Sequence, residues 1–461
     1  MKGSVYSCLA ALALVSSVES AKVQPPPTKD VVDTASRIAS AIFEIYNVDT
    51  PFNVPGIIPE SEWELSSAIM WSSLIEYWHY TGKDNYNSQT LKALAAQAGK
   101  KDDFARNLKQ YDMNMITADQ GLWGSAALLA AERGYPQPEN VDKSWIEMAE
   151  NAFEGFASYW NEDKRCGGGL PQLPKVVADN MHPSIPDVRD MLTQGAFFSM
   201  AARLARYTSD KKYADWADKT WAWVEKVGLL NTKTYTIKEP LLSEDCAMDE
   251  DDDNAEEVNS NAFMVLGAAF MYNVTEGDSK WKERAQGLTD HALKQWFKEA
   301  DGILVNECEE DDCGSDWKVF KGASMSMYAQ AVEVAPFLKD SLYTPIIKSG
   351  SAAMHACRDY EIHGEDSFSC GFLWAKGGQS RGAYPPYDEI AALGAVAPLL
   401  MDSSKPPQRA KDAGAIDANE KGDEKGDKGS QGDKGDDKKS AGVKMSINAL
   451  VLSLAVMGGL L

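Results

Sequence analysis

The chain has 461 residues, enough for one large domain or two or three ordinary ones, and 44% of them are hydrophobic. Its formal charge of −23 and isoelectric point near 4.7 exclude a nucleic-acid partner, whose phosphates require basic surface. The 13 Trp and 17 Tyr suit a packed helical core and sugar recognition alike, because aromatic rings offer large apolar faces on which a pyranose can stack.

Residues 1–20 read as a secretory signal, with Lys2 ahead of an apolar run through Val15 and small residues at Val18 and Ser20. That run is too short to span a bilayer, so cleavage after Ser20 or Ala21 is expected. After the lead Pro25-Pro26-Pro27, helical periodicity begins at Val31. It predicts helices over 31–46, 62–80, 88–98, 120–132, 143–160, 188–207, 211–227, 259–272, 280–297, 320–337, 343–357 and 388–401. The connecting turns carry Gly, Asn or Asp, as in Thr81-Gly82-Lys83-Asp84 and Glu276-Gly277-Asp278. No alternating βαβ pattern occurs, which argues against a parallel sheet. The residues themselves define a large all-α domain.

The expected organisation is a signal at 1–20, a folded domain at 21–404, a charged linker at 405–444 and an apolar tail at 445–461. Gly recurs every third residue from Gly426 to Gly435, yet the stretch lacks proline and is too short for a collagen helix, so it reads as flexible linker. A small-residue site, a polar spacer and an apolar tail make a GPI-anchor signal, with Gly429-Ser430 and Ser440-Ala441-Gly442 both offering attachment. Once Cys8 leaves with the signal, Cys166, Cys246, Cys308, Cys313, Cys357 and Cys370 remain. An even number in an oxidising compartment predicts disulfides: Cys308 with Cys313, Cys357 with Cys370, and Cys166 with Cys246 left over. Their spacing provides no tetrahedral zinc set, and no metal or cofactor is expected. The acidic run from Asp245 to Glu257 fails the EF-hand template, with Asn254 and Ser260 where Gly and Glu are needed. Asn273-Val274-Thr275 is a glycosylation sequon.

The chemistry is expected in Thr117-Ala118-Asp119-Gln120-Gly121-Leu122-Trp123-Gly124, where a loop enters a helix. Unpaired N–H groups and the helix dipole favour negative charge there, and by spacing alone Asp119 reads as an N-cap. This stretch resembles the active-site motif of glycoside hydrolase family 76, the endo-1,6-α-mannanases, and most nearly its fungal GPI-anchored, defective-cell-wall type. The family reads Asn-Asp-Asp-Gln-Gly-x-Trp-Gly here, so Thr117 and Ala118 depart from it while Asp119, Gln120, Gly121, Trp123 and Gly124 match. Further ordered matches are Leu74 to Gly82, Cys166-Gly167-Gly168-Gly169-Leu170, Gly195-Ala196-Phe197-Phe198, Tyr213-Ala214-Asp215-Trp216-Ala217 and Phe320-Lys321-Gly322.

The resemblance runs from Val31 to Met401 and implies an (α/α)6 barrel of six inner and six outer helices. It also implies that paired aspartates catalyse retaining hydrolysis, the first as nucleophile and the second as acid/base. A retaining pair needs carboxyls about 5–5.5 Å apart. By that carry-over Asp119 is the catalytic proton donor, and Ala118 has no lone pair for the sugar. Expected sugar contacts are Gln120, Trp123, Trp71 and Asn261, although Trp71 and Trp78 stand seven apart, a spacing that marks core more often than a platform. His79 reads as a hydrogen-bonded core or pocket residue.

Three readings follow. In one, another carboxylate such as Glu76 or Asp112 replaces the lost nucleophile and the chain processes α-1,6-mannose linkages of mannan or GPI glycans, with impaired catalysis. In a second, it binds those glycans without turnover. In a third, Asp119 and a distant carboxylate act as an inverting pair. All three place a mannose-bearing glycan in the site and the protein outside the cell, held to the membrane or wall through lipid.

Overall fold

A computed structural model of the chain describes residues 23–46, 55–58, 64–105, 116–137, 142–160, 165–173, 188–243, 246, 248, 256–297, 300–309, 313–362, 365–378 and 386–412. The signal segment, Asp112, residues 249–255 of the acidic run and the tail from 413 onward lie outside them. Among the described residues no helix is long and apolar enough to cross a membrane.

All twelve expected helices are present. They are α1 (Thr28–Tyr46), α2 (Leu65–Thr81), α3 (Asn87–Gln97), α4 (Thr117–Arg133), α5 (Trp145–Ala157) and α6 (Met191–Thr208). The second half is α7 (Lys211–Lys226), α8 (Val258–Val274), α9 (Ser279–Gln295), α10 (Ser315–Val334), α11 (Lys339–Ala356) and α12 (Tyr387–Val396). Local chemistry sets several of the starts. Ser144 and Glu147 form a capping box on α5, while Asp190, Asp210 and Asp278 accept N–H groups at the starts of α6, α7 and α9.

The even-numbered helices form an inner ring. Each of α2, α4, α6, α8, α10 and α12 packs on the next, and α12 returns to α2. Outside them, α1 lies on α12, α3 on α2, α5 on α4, α7 on α6, α9 on α8, and α11 on α10 and α12. This is the (α/α)6 toroid that the resemblance implies. Burial follows the layers. Every residue of α4 except Ser125 is buried, whereas α9 buries a single stripe of Trp281, Ala285, Leu288, Thr289 and Ala292. Because each outer helix returns the chain, the six inner helices run the same way and their N-termini share one end.

Several of the matched glycines are close-packing devices. A β-carbon at Gly121 would collide with the Phe156 ring, and one at Gly322 with the α12 backbone at Ala391. Gly169, at φ +81°, adopts a left-handed conformation that glycine accepts readily, and a β-carbon there would meet the Trp223 indole. The three disulfides are those the cysteine count predicts: Cys166–Cys246, Cys308–Cys313 and Cys357–Cys370.

Two features were not anticipated. An antiparallel hairpin of β3 (Cys357–Ile362) and β4 (Glu365–Cys370) follows α11, with Cys357 opposite Cys370 so that a disulfide ties its base; a shorter pair, β1 (Leu230–Asn231) and β2 (Thr236–Ile237), precedes it in the chain. The start of the expected linker also belongs to the barrel. The Gln408 N–H donates to Glu132 O at 2.7 Å, Arg206 donates to the carbonyls of Pro407 and Gln408, and His79 bonds Lys405 O. The sequon asparagine is likewise occupied: Asn273 Nδ2 donates to Val334 O at 2.9 Å, and its Oδ1 accepts from Arg206 and Arg409.

Candidate active site

The shared N-terminal end of the inner helices is where carboxylates gather. Helix α4 begins at Thr117, three residues ahead of the expected start. Asp119 is therefore the third residue of the helix and not its cap: its Oδ2 accepts the Ile116 N–H at 2.7 Å, reaching back over the first turn. The side chain is fully buried, as is Ala118 beside it. Thr117 N–H donates to Gln172 O at 2.7 Å, and the Gln172 side chain bonds Asp190 at the start of α6. One glutamine thus links the α4 start to the next carboxyl around the ring.

Asp190 opens an acidic arc. Its Oδ1 accepts Thr193 N–H at 2.7 Å, and burial raises its pKa above the ordinary value. Glu239 and Glu257 stand close enough to repel each other. Burial first, and then that like charge, pushes Glu239 well above the usual carboxylate range. Burial likewise raises Glu257 to about 7. Glu307 Oε2 accepts the Val258 N–H at the start of α8. On the opposite arc acids meet cations: Lys318 pairs with Asp388 at 3.1 Å and Lys321 with Glu309 at 2.6 Å, all four buried. Lys321 also donates to Phe372 O, so the matched Phe-Lys-Gly carries a buried ion pair and a helix crossing. Carboxyls that stay protonated near neutrality can donate protons, which suits acid/base chemistry on a glycosidic oxygen.

The expected sugar contacts all have scaffold positions. Gln120 Nε2 donates to Asp103 O at 2.9 Å, and Trp123 lies stacked on Phe104, 1% exposed. Trp71 is fully buried between Phe43 and Tyr46 with its indole N–H on Gly56 O. Asn261 joins Leu288 O and the Tyr328 hydroxyl, tying α8 to α9 and α10. Gln120 follows Asp119 directly on α4 and Trp123 lies one turn on, whereas Trp71 and Asn261 sit on α2 and α8. Trp78 packs edge-on against Tyr135.

Glu76 is removed as a replacement nucleophile by position. It bonds Arg133 at 2.9 Å, and Arg133 follows Asp119 by fourteen residues of α4, a rise of about 21 Å. Asp112 is outside the described residues. Sequence reasoning missed the arc of Asp190, Glu239 and Glu257. Its available signal was that Asp190 and Glu257 directly precede two inner helices.

A closed ring of helix hairpins with acids massed at its inner-helix starts defines a scaffold of the (α/α)6 glycosidase class. The chain belongs to glycosyl hydrolase family 76, whose model matches residues 30–411. It is 30% identical over 306 residues to a putative mannan endo-1,6-alpha-mannosidase of Schizosaccharomyces pombe, covering 66% of this chain and 65% of that protein. To the mannan endo-1,6-alpha-mannosidase DCW1 of Saccharomyces cerevisiae it is 28% identical, covering 78% and 77%. Among solved structures, Dfg5 from Chaetomium thermophilum in complex with glucosamine superposes with a TM-score of 0.73 at 26% identity, covering 84% of this chain and 94% of that one. An inactive variant of an alpha-1,6-mannanase from Salegentibacter, with two consecutive aspartates changed to alanine and bound to alpha-1,6-mannotetrose, shares the fold at a TM-score of 0.60 and 14% identity, covering 80% and 99%.

Proposed function

We propose that this chain is a cell-surface, glycan-processing protein that takes α-1,6-mannose linkages of mannan or GPI glycans at the N-terminal end of its barrel, with catalysis impaired by the loss of one carboxylate. The observation that carries this reading is the pair at the head of α4: Asp119 buried with a bonded carboxyl, and Ala118 buried beside it. Asp119 supplies the proton, and an alanine methyl forms no glycosyl–enzyme bond. Losing one member of such a unit commonly costs several orders of magnitude in rate. The family membership and the named activities of the relatives support the substrate class.

Release of mannose oligosaccharides from α-1,6-mannan tests the reading. Wild type is expected to release little, Asp119→Asn none, and Ala118→Asp about a hundredfold more or better than wild type. Full-rate release by wild type that survives Asp119→Asn overturns it. Binding without any turnover, unmoved by Ala118→Asp, leaves a glycan-binding surface protein.

The chain ends support delivery outside the cell. The signal-like residues 1–20, the disulfides and the apolar residues 445–461 fit a secreted protein held by a GPI lipid. Release from cells by a phosphatidylinositol-specific phospholipase is the expected result, and retention in the membrane counts against it.

A further inference from the structure

Among the described residues folding leaves two large hydrophobic side chains exposed, Leu241 and Trp317, each 42% open. Both fall at the end of the barrel where the inner helices begin. Trp317 is the third residue of α10, and Leu241 directly precedes Leu242, which is bridged to Arg189 beside the Asp190 cap of α6. Single exposed apolar residues are ordinary on a protein surface, but these two stand at the ends of one row of carboxyls. Glu257 acts electrostatically on Glu239 to one side and on Glu307 to the other. Glu239 comes just before Leu241, and Glu307 just before the segment that carries Trp317.

That segment is fastened. The Cys308–Cys313 disulfide holds the two Cα atoms 4.9 Å apart. With about 3.8 Å per residue step, the Cα atoms of Glu307 and Gly314 are no more than about 12.5 Å apart. Trp317 N–H donates to Gly314 O at 3.0 Å, which fixes the first turn of α10 beside Glu307. About three helical turns on, Tyr328 bonds Asn261 of α8. Trp317 shares that face, so it stands over the α8 side of α10, toward Glu257. Phe320, itself buried, backs the indole at 5.5 Å between ring centroids. The ring is propped from beneath and open above.

Sugars suit such a surface. An indole offers a broad apolar face for pyranose C–H groups, and the exposed Glu307 carboxyl beside it can accept hydroxyl hydrogen bonds. Position sets which unit of the glycan is held. In the ring α10 stands opposite α4, with α6 and α8 between them on one side and α12 and α2 on the other. At about 8–10 Å between packed helices, the α10 start is about 16–20 Å from the α4 start and its Asp119. A platform there meets a unit several hexoses from the proton donor, and being open it lets the chain run on past it.

We infer that Trp317 is the platform of a remote subsite on the α8–α10 rim, holding a mannose unit several residues along the α-1,6 chain from Asp119. The inference rests on the reading that mannose-bearing glycan binds at the N-terminal end of the barrel.

Calorimetric titration of the full secreted chain with α-1,6-mannobiose and α-1,6-mannohexaose tests it. Trp317→Ala is expected to weaken the hexaose about tenfold and to leave mannobiose within about twofold, while Trp317→Phe keeps most of the hexaose affinity. The melting temperature of both variants is expected to match wild type, since the side chain is exposed. Hexaose binding unmoved by Trp317→Ala, or lost in step with mannobiose, overturns the subsite and leaves the proposed function standing. A dimer that Trp317→Ala turns into a monomer, with hexaose binding unmoved, also overturns it and assigns the indole to a contact between copies. Absence of any mannoside binding by wild type overturns both.

Discussion

At the far end of the ring Arg133 is gripped by Glu76 at 2.9 Å and Glu333 at 2.8 Å, with the Tyr80 hydroxyl donating to Glu333 and Arg203 forked onto Glu132. At the near end Asp190, Glu239 and Glu257 crowd one another, and burial holds them toward the protonated form. Helix N-termini favour the carboxylates of the near end and helix C-termini the arginines of the far end. What differs is pairing. The far end matches Arg133 and Arg203 with acids and is covered by a strap that Arg206 holds through its carbonyls, so its charges fasten the barrel shut. One arc of the near end leaves acids facing acids, a costly arrangement that raises Glu257 to about 7, where it can exchange a proton near neutrality. Charge closes one end and equips the other.

Breaking the far end gives the largest expected effect. Arg133→Met leaves Glu76 and Glu333 buried without their cation and is expected to destabilise by about 3–5 kcal/mol in urea titration. Adding Glu76→Gln is expected to recover part of that loss. Additive losses in the double variant would show that the three side chains do not act as a unit.

A pH scan separates the two ends by sign. Burial, with Arg133 nearby, lowers His79 from 6.5 to about 3. Its contribution to stability is complete above about pH 6.5 and is lost as pH falls toward 3, at up to about 1.4 kcal/mol per pH unit. His79→Gln is expected to flatten the acid limb of the melting-temperature profile by one proton.

The smallest effect belongs to the near end. Glu257 is raised from 4.5 to about 7, so its contribution is complete below about pH 4.5 and is lost as pH rises through 7. Glu257→Gln, which mimics the protonated acid, is expected to stabilise the protein at pH 8 by about 1 kcal/mol, given its partial exposure, and to change nothing at pH 4. A loss at pH 8 would mean that the ionised carboxylate has a cation partner.

The active-site motif shows how sequence and site diverge. Of the five matched residues at 119–124, four make scaffold contacts: Gln120 bonds Asp103 O, Trp123 stacks on Phe104, and Gly121 and Gly124 admit α5. Their identities mark the family because close helix packing tolerates few alternatives. Their roles were not legible, since an amide and an indole beside a carboxylate serve a scaffold as readily as a sugar.

The chain by itself determined the helices and their all-α class, and it pointed to disulfides whose pairing the structure then showed. Each depends on local periodicity, on turn chemistry or on an even count of cysteines in an oxidising setting. Tertiary structure alone decided which carboxyls meet. Asp190 meets Glu239 and Glu257 because the α6–α7 hairpin returns the chain to the end where α6 began, before α8 starts. It also decided that Glu76 belongs to the opposite end and that residues 405–409 belong to the barrel. Direction and closure of a ring are properties of the whole assembly, and no single segment encodes them.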